Sequence, residues 1–558
     1  MRNNELQGLS GHAVGEVEAE VDGEKLVHDS SVDHRGRPPL RAATGSWKAA
    51  MFIIASEFAE RLSFFGIATT LMVYLTTVLH KDMTVAAQNT QSWLSFTTLM
   101  PLLGGFLADA YVGRFASVVL STAVYITGLV LLATAQLAPG LSTTVAPKIH
   151  ETIFFVGMYL VSIGTGGHKP SLESFGADQF DDGHAGERLQ KMSFFNWWNA
   201  ALCSGVLLGV TVVAYVQQRV GWGAATVLVA GVMAVSLALF ITGRRTYRYR
   251  KPGGSPLTPL LRVGVAAARK RQLELPANKA DLYEVAGAAR LLSHTPRLQF
   301  LDKAAILEPG GERGPWWLAT VTEVEETKLL LSTLPVWLAA VPFGIMAAQV
   351  TSFFVKQAGA MDRRLGAHLV LPPATVFAAG AVAMIATVAV HDKLLEPCLR
   401  RATGAQRGIS VLRRIGVGMA LAAVAMAVAA IVERHRLHSA VTISVLWLLP
   451  QFAIMGIADA FALVALQEFF YCQVPETMRS LGIGFYLSVA GVGSLMSSVI
   501  IGAASHITSG GGRHEGWFGK DLSDSRLDLF YWLLATIGTM NLGFYILVAR
   551  RYPYKQNY

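Results

Sequence analysis

The first apolar stretch of the chain, residues 49–79, reads AAMFIIASEFAERLSFFGIATTLMVYLTTVL. A helix rises about 1.5 Å per residue, so this stretch is long enough to cross the roughly 30 Å hydrocarbon core of a bilayer. Three charged residues interrupt it: Glu57, Glu60 and Arg61. Because charges inside a membrane are costly, the stretch predicts a membrane-spanning helix whose charges have a function.

The composition of the whole chain also indicates a membrane protein. Of its 558 residues, 52% are hydrophobic and only 15% are charged, whereas soluble proteins average about 25% charged residues. Three cysteines (Cys203, Cys398 and Cys472) are too few for a secreted disulfide scaffold. The net charge of +9 is explained by basic cytoplasmic loops, so we expect the lipid bilayer, and no nucleic acid, as a partner.

Further apolar stretches of about twenty residues follow the first one, each long enough to span a membrane. Together they predict twelve membrane-spanning helices, at residues 49–79, 92–112, 115–137, 151–171, 195–217, 222–243, 329–355, 369–390, 410–432, 440–470, 480–506 and 529–549. The prediction is an all-α membrane protein.

Lys and Arg are concentrated between the sixth and seventh spans, where residues 244–313 hold fourteen of them against six Asp or Glu. The positive-inside rule places this segment and both termini in the cytoplasm. Two six-helix bundles joined by a basic linker are typical of a secondary transporter. The predicted domains are a flexible cytoplasmic tail at 1–46, bundles at 47–243 and 329–550 around a linker at 244–328, and a tail at 551–558.

Glu57, Glu60 and Arg61 are spaced i, i+3, i+4 and therefore share one face of the first helix. Each charge at the centre of a membrane helix costs roughly 2.5–3.5 kcal/mol on insertion scales. Two carboxylates beside one arginine leave one acid free to bind a proton, as a proton-coupled carrier requires. The alternative is an ion pair that only locks helices together.

Other charged residues lie in or beside later spans. Lys169 follows the small residues of GTGGH (164–168) in the fourth span and needs a carboxylate or an anionic ligand there, unless it reaches the cytoplasmic interface. The neighbouring His168 is interpreted as a packing or hydrogen-bonding residue. In the tenth span, Glu468 is equally compatible with an interfacial and a cavity position, and the more central Asp459 has no predicted partner.

Two charged groups flank the spans. Between the second and third spans, Asp109 and Arg114 surround a tight cytoplasmic turn at Val112-Gly113, which predicts a structural or conformational role and not substrate binding. Before the seventh span, VEETK (324–328) together with Glu323 predicts a solvated first turn suited to a helix N-terminus. A salt bridge at a gate is the alternative for this second group.

Several longer motifs resemble those of one transporter family. EFAER (57–61) is similar to the ExxER motif of the proton-dependent oligopeptide transporter family, and GTGGHKPSLESFGADQF (164–180) resembles that family's signature at the fourth helix. GFLADAYVGR (105–114) resembles the loop motif of the major facilitator superfamily. VEETKLLLSTLPVW (324–337), LQEFFYCQVPETMRSLG (466–482) and DLFYWLLA (528–535) resemble the plant nitrate/peptide transporter branch.

The resemblance implies a major facilitator fold of twelve helices in two six-helix bundles around a central cavity. It also implies alternating access driven by inward proton movement, with Glu57, Glu60 and Arg61 as the proton-coupling group. Lys169 would pair with that group or with the substrate, and Glu468 would be the cavity carboxylate of the tenth helix. The implied activity is proton-coupled symport of a small solute such as nitrate, a di- or tripeptide, a hormone or another anionic metabolite.

Two departures from the family pattern leave the substrate open. Peptide carriers of the family usually place an arginine seven residues after the motif arginine, where this chain has Ala68, and tyrosines where it has Phe64 and Phe65. A nitrate carrier of the plant branch would place a histidine two residues before the glutamine that corresponds to Gln349, and this chain has Ala347 there.

Two other classes of function compete with the symporter. The first is a substrate-sensing membrane protein on the same fold with little flux, although a pure receptor need not keep the proton-coupling residues. The second is a membrane enzyme, which is disfavoured because the chain shows no nucleophile elbow, phosphate loop or metal motif. No metal or cofactor is expected, and the plasma membrane is favoured over the vacuolar membrane.

Overall fold

The computed structural model describes most of the chain between residues 31 and 552. Most of the predicted N-terminal tail and residues 553–558 of the C-terminal tail lie outside the described residues. The described residues are 27, 31–141, 143–181, 183–250, 252, 254, 257–276, 282–284, 292, 294–307, 314, 316–366, 369–403, 409–474, 479–509, 516–519 and 521–552.

Twelve long helices follow one another along the described chain and correspond in order to the twelve predicted spans. They are α1 (Ser46–Ala68), α2 (Met83–Leu107), α3 (Arg114–Leu137), α4 (Pro147–Ala177), α5 (Ala185–Leu208), α6 (Trp222–Thr242), α7 (Val321–Ala347), α8 (Phe377–Val390), α9 (Val411–His438), α10 (Leu449–Gln473), α11 (Arg479–Thr508) and α12 (Leu527–Arg551).

Ten helical segments of the described chain are long and apolar enough to cross a membrane by length and composition alone. The helices α1 and α2 are not among these ten. The first carries the charges of its EFAER motif, and the second begins with the polar sequence MTVAAQNTQS. In both helices polar residues replace apolar ones, which weakens the hydropathy signal without breaking the helix.

Several helices begin earlier than the apolar pattern predicted, and in two of them a cap accounts for the difference. The helix α5 begins at Ala185 and not near 195, and His184 caps it by accepting a hydrogen bond from the Glu187 amide. The helix α7 begins at Val321 and not at 329, behind a capping box formed by Thr320 and Glu323. Such caps extend a helix into polar sequence that hydropathy cannot register.

Shorter elements complete the described fold. Leu71–Thr77 follows α1, and Phe353–Gly359 and Glu396–Thr403 flank α8. The linker contains the helix Leu257–Arg269 and the 3₁₀ helix Gln299–Ala305. An antiparallel ladder pairs β1 (Arg364–Leu365) with β2 (Leu369–Val370), in the register Arg364 to Val370. Five-residue π-helical turns lie at Ala108–Val112, Gly209–Val213 and His391–Leu395.

The chain forms two compact units. Unit 1 comprises Met1–Ala68 and Leu103–Gly253, and unit 2 comprises Thr69–Leu102 and Gly254–Tyr558. An aromatic cluster fills part of the core of unit 1, where the rings of Phe115 and Phe240 stack 5.4 Å apart.

Unit 2 contains most of α2 together with the helices α7 to α12. Gln91 of α2 donates hydrogen bonds to the Ala348 carbonyl (2.8 Å) and to the Ser352 hydroxyl (2.7 Å), at the end of α7. Because all three groups are buried, these bonds fix α2 against α7 within the unit.

Candidate functional site

The three charged residues of α1 are buried together inside unit 1. Glu57 and Glu60 are at most 1% exposed and Arg61 is 4% exposed. The Arg61 Nε lies 3.1 Å from the Glu57 Oε1, and its Nη2 contacts the Glu60 Oε2. The predicted shared face is therefore present, and one guanidinium serves two carboxylates.

Close packing against α5 holds this part of α1 in place. A Cβ at Gly205 would lie 2.6 Å from the Phe58 carbonyl oxygen, and one at Gly209 would lie 2.7 Å from the Leu62 carbonyl oxygen. Because only glycine allows the two backbones to approach so closely, the side chain of Arg61 is held between fixed helices.

Several polar atoms of this cluster are buried without a hydrogen-bond partner among the described residues: Glu57 Oε2, Glu60 Oε1 and Oε2, and Arg61 Nε and Nη2. The contacts of Arg61 with the two carboxylates are ion pairs by distance but lack hydrogen-bond geometry. Buried groups in such a state are costly, and they are the groups that a proton, water or substrate can satisfy.

Lys169 lies on α4 in the same unit. Its ammonium makes no ion pair within 4 Å in the described part of the chain, but it interacts electrostatically with Glu57, Glu60 and Glu173. Next to it, the α4 backbone approaches the end of α2 closely, since a Cβ at Gly104 would lie 2.2 Å from the Gly166 carbonyl oxygen. Lys169 is thus near the first-helix charges without being fixed by them.

The neighbours of Lys169 on α4, His168 and Glu173, differ in their contacts. The His168 Nδ1 and the Thr122 hydroxyl share a hydrogen bond of 2.8 Å, as the interpretation of His168 as a hydrogen-bonding residue requires. Glu173, one helical turn after Lys169, was missed by the sequence analysis although the i, i+4 spacing reveals it. With Glu173 the cluster contains three carboxylates and two cations.

The loop motif forms a charge cluster at the other end of α2. The Arg114 Nε lies 2.9 Å from the Asp109 Oδ1, and its Nη1 lies 2.5 Å from the Asp178 Oδ2. Arg250 approaches the Asp178 Oδ1 at 3.4 Å. Burial raises the pKa of Asp178, and the two arginines oppose that rise.

The predicted turn at Val112-Gly113 is a π-helical turn that ends at Gly113, whose φ is 85°. This left-handed backbone favours glycine, and it allows α3 to begin immediately at Arg114. The structural part of the loop-motif prediction thus has a physical basis in the turn and its ion pairs.

Sequence analysis also missed a buried cluster below α5. Arg248 is completely buried, and its guanidinium binds both carboxylate oxygens of Glu187, at 2.6 and 3.1 Å. It also donates to the Thr44 carbonyl at 3.0 Å, and Arg41 pairs with Asp181 at 3.0 Å. The residues 41 to 44 and 248 lie in segments that read as solvated connections in the sequence.

The two carboxylates of α10 differ from each other. Glu468 is about a quarter exposed, and its Oε2 lies 3.3 Å from the Arg414 Nη1 on α9, within unit 2. Asp459 is the more central of the two, and its Oδ1 is buried without a hydrogen-bond partner in the described chain. Glu468 thus already has a cationic neighbour, whereas Asp459 has none.

The prediction of a solvated first turn in α7 is wrong for most of that turn. Glu325, Glu326 and Lys328 are buried, and only Glu323 acts as a capping residue. The Lys328 Nζ lies 2.6 Å from the Asp302 Oδ1 and 2.7 Å from the Glu325 Oε1, because the linker folds over the start of α7. Long-range burial by the linker was not visible in the sequence pattern.

His294, Asp302 and Glu325 have ligand atoms within 4.8 Å of one another, which is close enough for a metal ion. However, the ammonium of Lys328 already contacts both carboxylates. A metal ion there would place two positive charges side by side, so the arrangement fits a structural ion cluster.

Twelve helices in succession along the described chain are typical of a multi-pass integral membrane transporter. Residues 115–518 match the POT family, and the chain belongs to this family. Its fold is that of the major facilitator superfamily, as the resemblance implied. The POT family is a family of transporters of small-molecule substrates.

Plant relatives are similar over nearly their whole length. The chain is 53% identical over 552 residues to Protein NRT1/PTR FAMILY 5.6 of Arabidopsis thaliana, which covers 96% of both chains. It is 52% identical over 562 residues to Protein NRT1/PTR FAMILY 5.7 of the same plant, which covers 96% of this chain and 93% of the relative.

Solved structures agree on the fold. The chain is similar to an auto inhibited POT family peptide transporter with a TM-score of 0.72 and 20% identity, over 91% of this chain and 98% of the other. It is also similar to the POT family transporter PepTSo, with a TM-score of 0.69 and 21% identity, over 90% and 98%.

Proposed function

We propose that Glu57, Glu60 and Arg61 of α1, together with Lys169 of α4, couple proton movement to the movement of a small polar solute. The observation that carries this proposal is the buried cluster, in which one guanidinium serves two carboxylates and Lys169 has no ion-pair partner within the described part of the chain. A purely structural cluster would satisfy its buried atoms, and here five of them are unsatisfied.

The chemistry begins with a proton on a carboxyl oxygen of α1. A neutral Glu60 attracts Arg61 and Lys169 less than an ionised one, because the Coulomb term between them disappears. Arg61 can then be held by Glu57 alone, and Lys169 becomes available to a substrate. When substrate leaves, Lys169 returns to the field of the carboxylates, and the proton is released.

The proposed substrate is a small anionic or zwitterionic solute. Lys169 would attract its negative group, since an ammonium in a low-dielectric site needs an anion nearby. Glu468 is proposed as the carboxylate of α10 that contacts the solute, and its partial exposure is compatible with that role. One similar solved structure is that of a POT family peptide transporter, and another is a POT family transporter in complex with 5-aminolevulinic acid.

The proposed location is the plasma membrane, because an acidic exterior supplies the proton gradient that drives inward symport. The domains proposed from the sequence are two helical bundles joined by the linker 244–328. By the positive-inside rule, that linker would lie in the cytoplasm.

The test uses the full chain in liposomes with an imposed pH gradient, and measures proton-driven currents while nitrate, dipeptides, hormones and amino acids are offered in turn. A saturable inward current with one class of solute supports the proposal. Solute binding without flux or current, in protein shown to be correctly folded, would favour the sensing function instead.

A further inference from the structure

We propose that Asp459 is a second proton-binding site, on α10 in unit 2, and that its protonation favours close contact between α8 and α10. The inference rests on proton-coupled transport but concerns a residue outside the α1 and α4 cluster. Asp459 is the eleventh of the 25 residues of α10, about 15 Å along the helix from its first residue. This position is far from both ends of the helix.

Among the residues that the structure describes, the carboxyl of Asp459 has no partner that could stabilise its ionised form. Its Oδ1 is buried without a hydrogen bond, and no charged side chain of the described residues acts on it. An unpaired carboxylate in a membrane interior is costly, whereas the neutral acid avoids most of that cost. The group therefore binds a proton whenever its surroundings stay dry.

On the helices packed against α10, the charged residues lie near the helix ends. On α9, Arg414 pairs with Glu468, and Glu433 pairs with Arg436 at 2.7 Å. After α8, the ring of His391 packs edge-on against Phe461, with ring centroids 5.8 Å apart. After Lys328, α7 carries no charged residue, and α11 carries none between Arg479 and His506.

The contact of α10 with α8 is unusually close one turn before Asp459. A Cβ at Gly456 would lie 2.1 Å from the Gly380 carbonyl oxygen, so the backbones touch there. Asp459 is three residues after Gly456 and therefore lies on the same face of α10. Asp459 as a whole is partly exposed, but its Oδ1 is shielded from water while this contact persists.

The helix α8 has few contacts besides its contact with α10. None of its fourteen residues is buried, whereas fifteen residues of α7 are. Because α8 packs chiefly against one helix, loosening of this contact can admit water to Asp459 without disturbing the other helices. Linkage then works in both directions: close contact favours the protonated acid, and protonation favours close contact.

The first experiment compares Asp459→Asn with the wild type in liposomes that hold a pH gradient. If one coupled proton is lost, the maximum accumulation of solute falls by about tenfold for each pH unit of gradient. Downhill counterflow persists, because the amide keeps the shape and neutrality of the protonated acid. The matched control is Asp524→Asn, an exposed carboxylate of the same unit, which leaves accumulation unchanged.

An accumulation ratio equal to that of the wild type would overturn the proposal. A second measurement needs no variant: a hydrophobic carbodiimide, which attacks protonated carboxyl groups in apolar surroundings, is applied to wild-type protein and the modified residues are identified by mass spectrometry. Modification of Asp459 that declines as the pH rises supports the proposal. Absence of modification at every pH, in protein that transports, contradicts it. Neither result depends on Glu60, so the proposed α1 site can fail or succeed separately.

Discussion

Two buried ion clusters of this chain have similar composition but opposite completeness. In unit 2, Lys328 contacts Asp302 and Glu325 and also donates to the Thr295 carbonyl at 2.9 Å. The amide and hydroxyl of Thr295 in turn donate to the two carboxylate oxygens of Glu325, at 3.0 and 2.7 Å. In unit 1, five buried atoms of Glu57, Glu60 and Arg61 have no hydrogen bond to any described residue.

The difference distinguishes a structural cluster from one suited to transport. A fully bonded cluster has one low-energy arrangement and resists a change of protonation. An incompletely bonded cluster has alternatives of similar energy, so a single proton can change which carboxylate holds the arginine. An incompletely bonded cluster lowers stability, and proteins keep such a cluster where they must switch between states.

The largest expected effect is that of Glu60→Gln, which tests whether the α1 cluster switches by protonation. The amide cannot bind and release a proton, so Arg61 and Lys169 lose the switch that links solute to proton movement, and the proton on Asp459 alone no longer drives uptake. Uphill uptake driven by a pH gradient should then disappear, and accumulation should fall to a ratio of about one. Counterflow exchange should persist, since solute exchange at equal concentrations needs no net proton movement. Both are measured with radiolabelled solute in liposomes.

Counterflow in the same preparation serves as the control for folding of the Glu60→Gln protein. Uptake that keeps the wild-type pH dependence would remove Glu60 from the proton path.

Lys169→Ala is expected to have the next largest effect, because it removes the cation that lacks a fixed partner. Loss of a charged contact of about 1.5–3 kcal/mol corresponds to roughly 10- to 100-fold lower uptake at limiting solute concentration. Lys169→Arg should be partly active, since a planar guanidinium differs in reach and geometry from an ammonium. Uptake is normalised to the amount of protein in the membrane.

A lysine that only extends to the aqueous interface would give the reverse pattern, with Arg fully active and Ala mildly impaired. Near-normal uptake by Lys169→Ala would therefore exclude a coupling role for this residue.

The sequence predicted the membrane helices because each leaves a long apolar signal, and it predicted the α1 cluster because i, i+3, i+4 spacing fixes a shared face. It could not predict the Asp302–Lys328 pair, whose partners are 26 positions apart in polar sequence. The charged start of α7 has the composition of a solvated turn, and only the fold of the linker over it shows that it is buried. Glu173 could have been predicted, because its i, i+4 spacing from Lys169 places both residues on one face of α4.

Lys328→Met tests the completed cluster and should affect stability more than transport chemistry. It leaves Asp302 and Glu325 buried without their cation, which costs about 3–5 kcal/mol in comparable buried pairs. The midpoint of thermal unfolding in detergent should fall, and the linker should become more sensitive to limited proteolysis. The control is Lys303→Met, because Lys303 is only half-buried and its one hydrogen bond within the described chain goes to the Arg271 carbonyl.

An unchanged midpoint for Lys328→Met would show that the linker cluster contributes little to stability. The linker cluster could then no longer be called structural in contrast to the α1 cluster. The Glu60→Gln protein should unfold near the wild-type midpoint, since its cluster is already incompletely bonded. A large loss of stability in both variants would mean that both clusters are structural.

The smallest expected effect is that of Glu468→Gln. Its ion pair with Arg414 spans 3.3 Å and is partly exposed, so its loss should cost no more than about 1 kcal/mol of stability. If Glu468 contacts the solute, the amide should raise the KM several-fold while kcat changes little, because binding weakens and proton coupling at α1 remains. Initial rates across solute concentrations separate the two parameters. A purely structural ion pair would leave both parameters unchanged in folded protein, and a fall in kcat with an unchanged KM would instead place Glu468 in the conformational step.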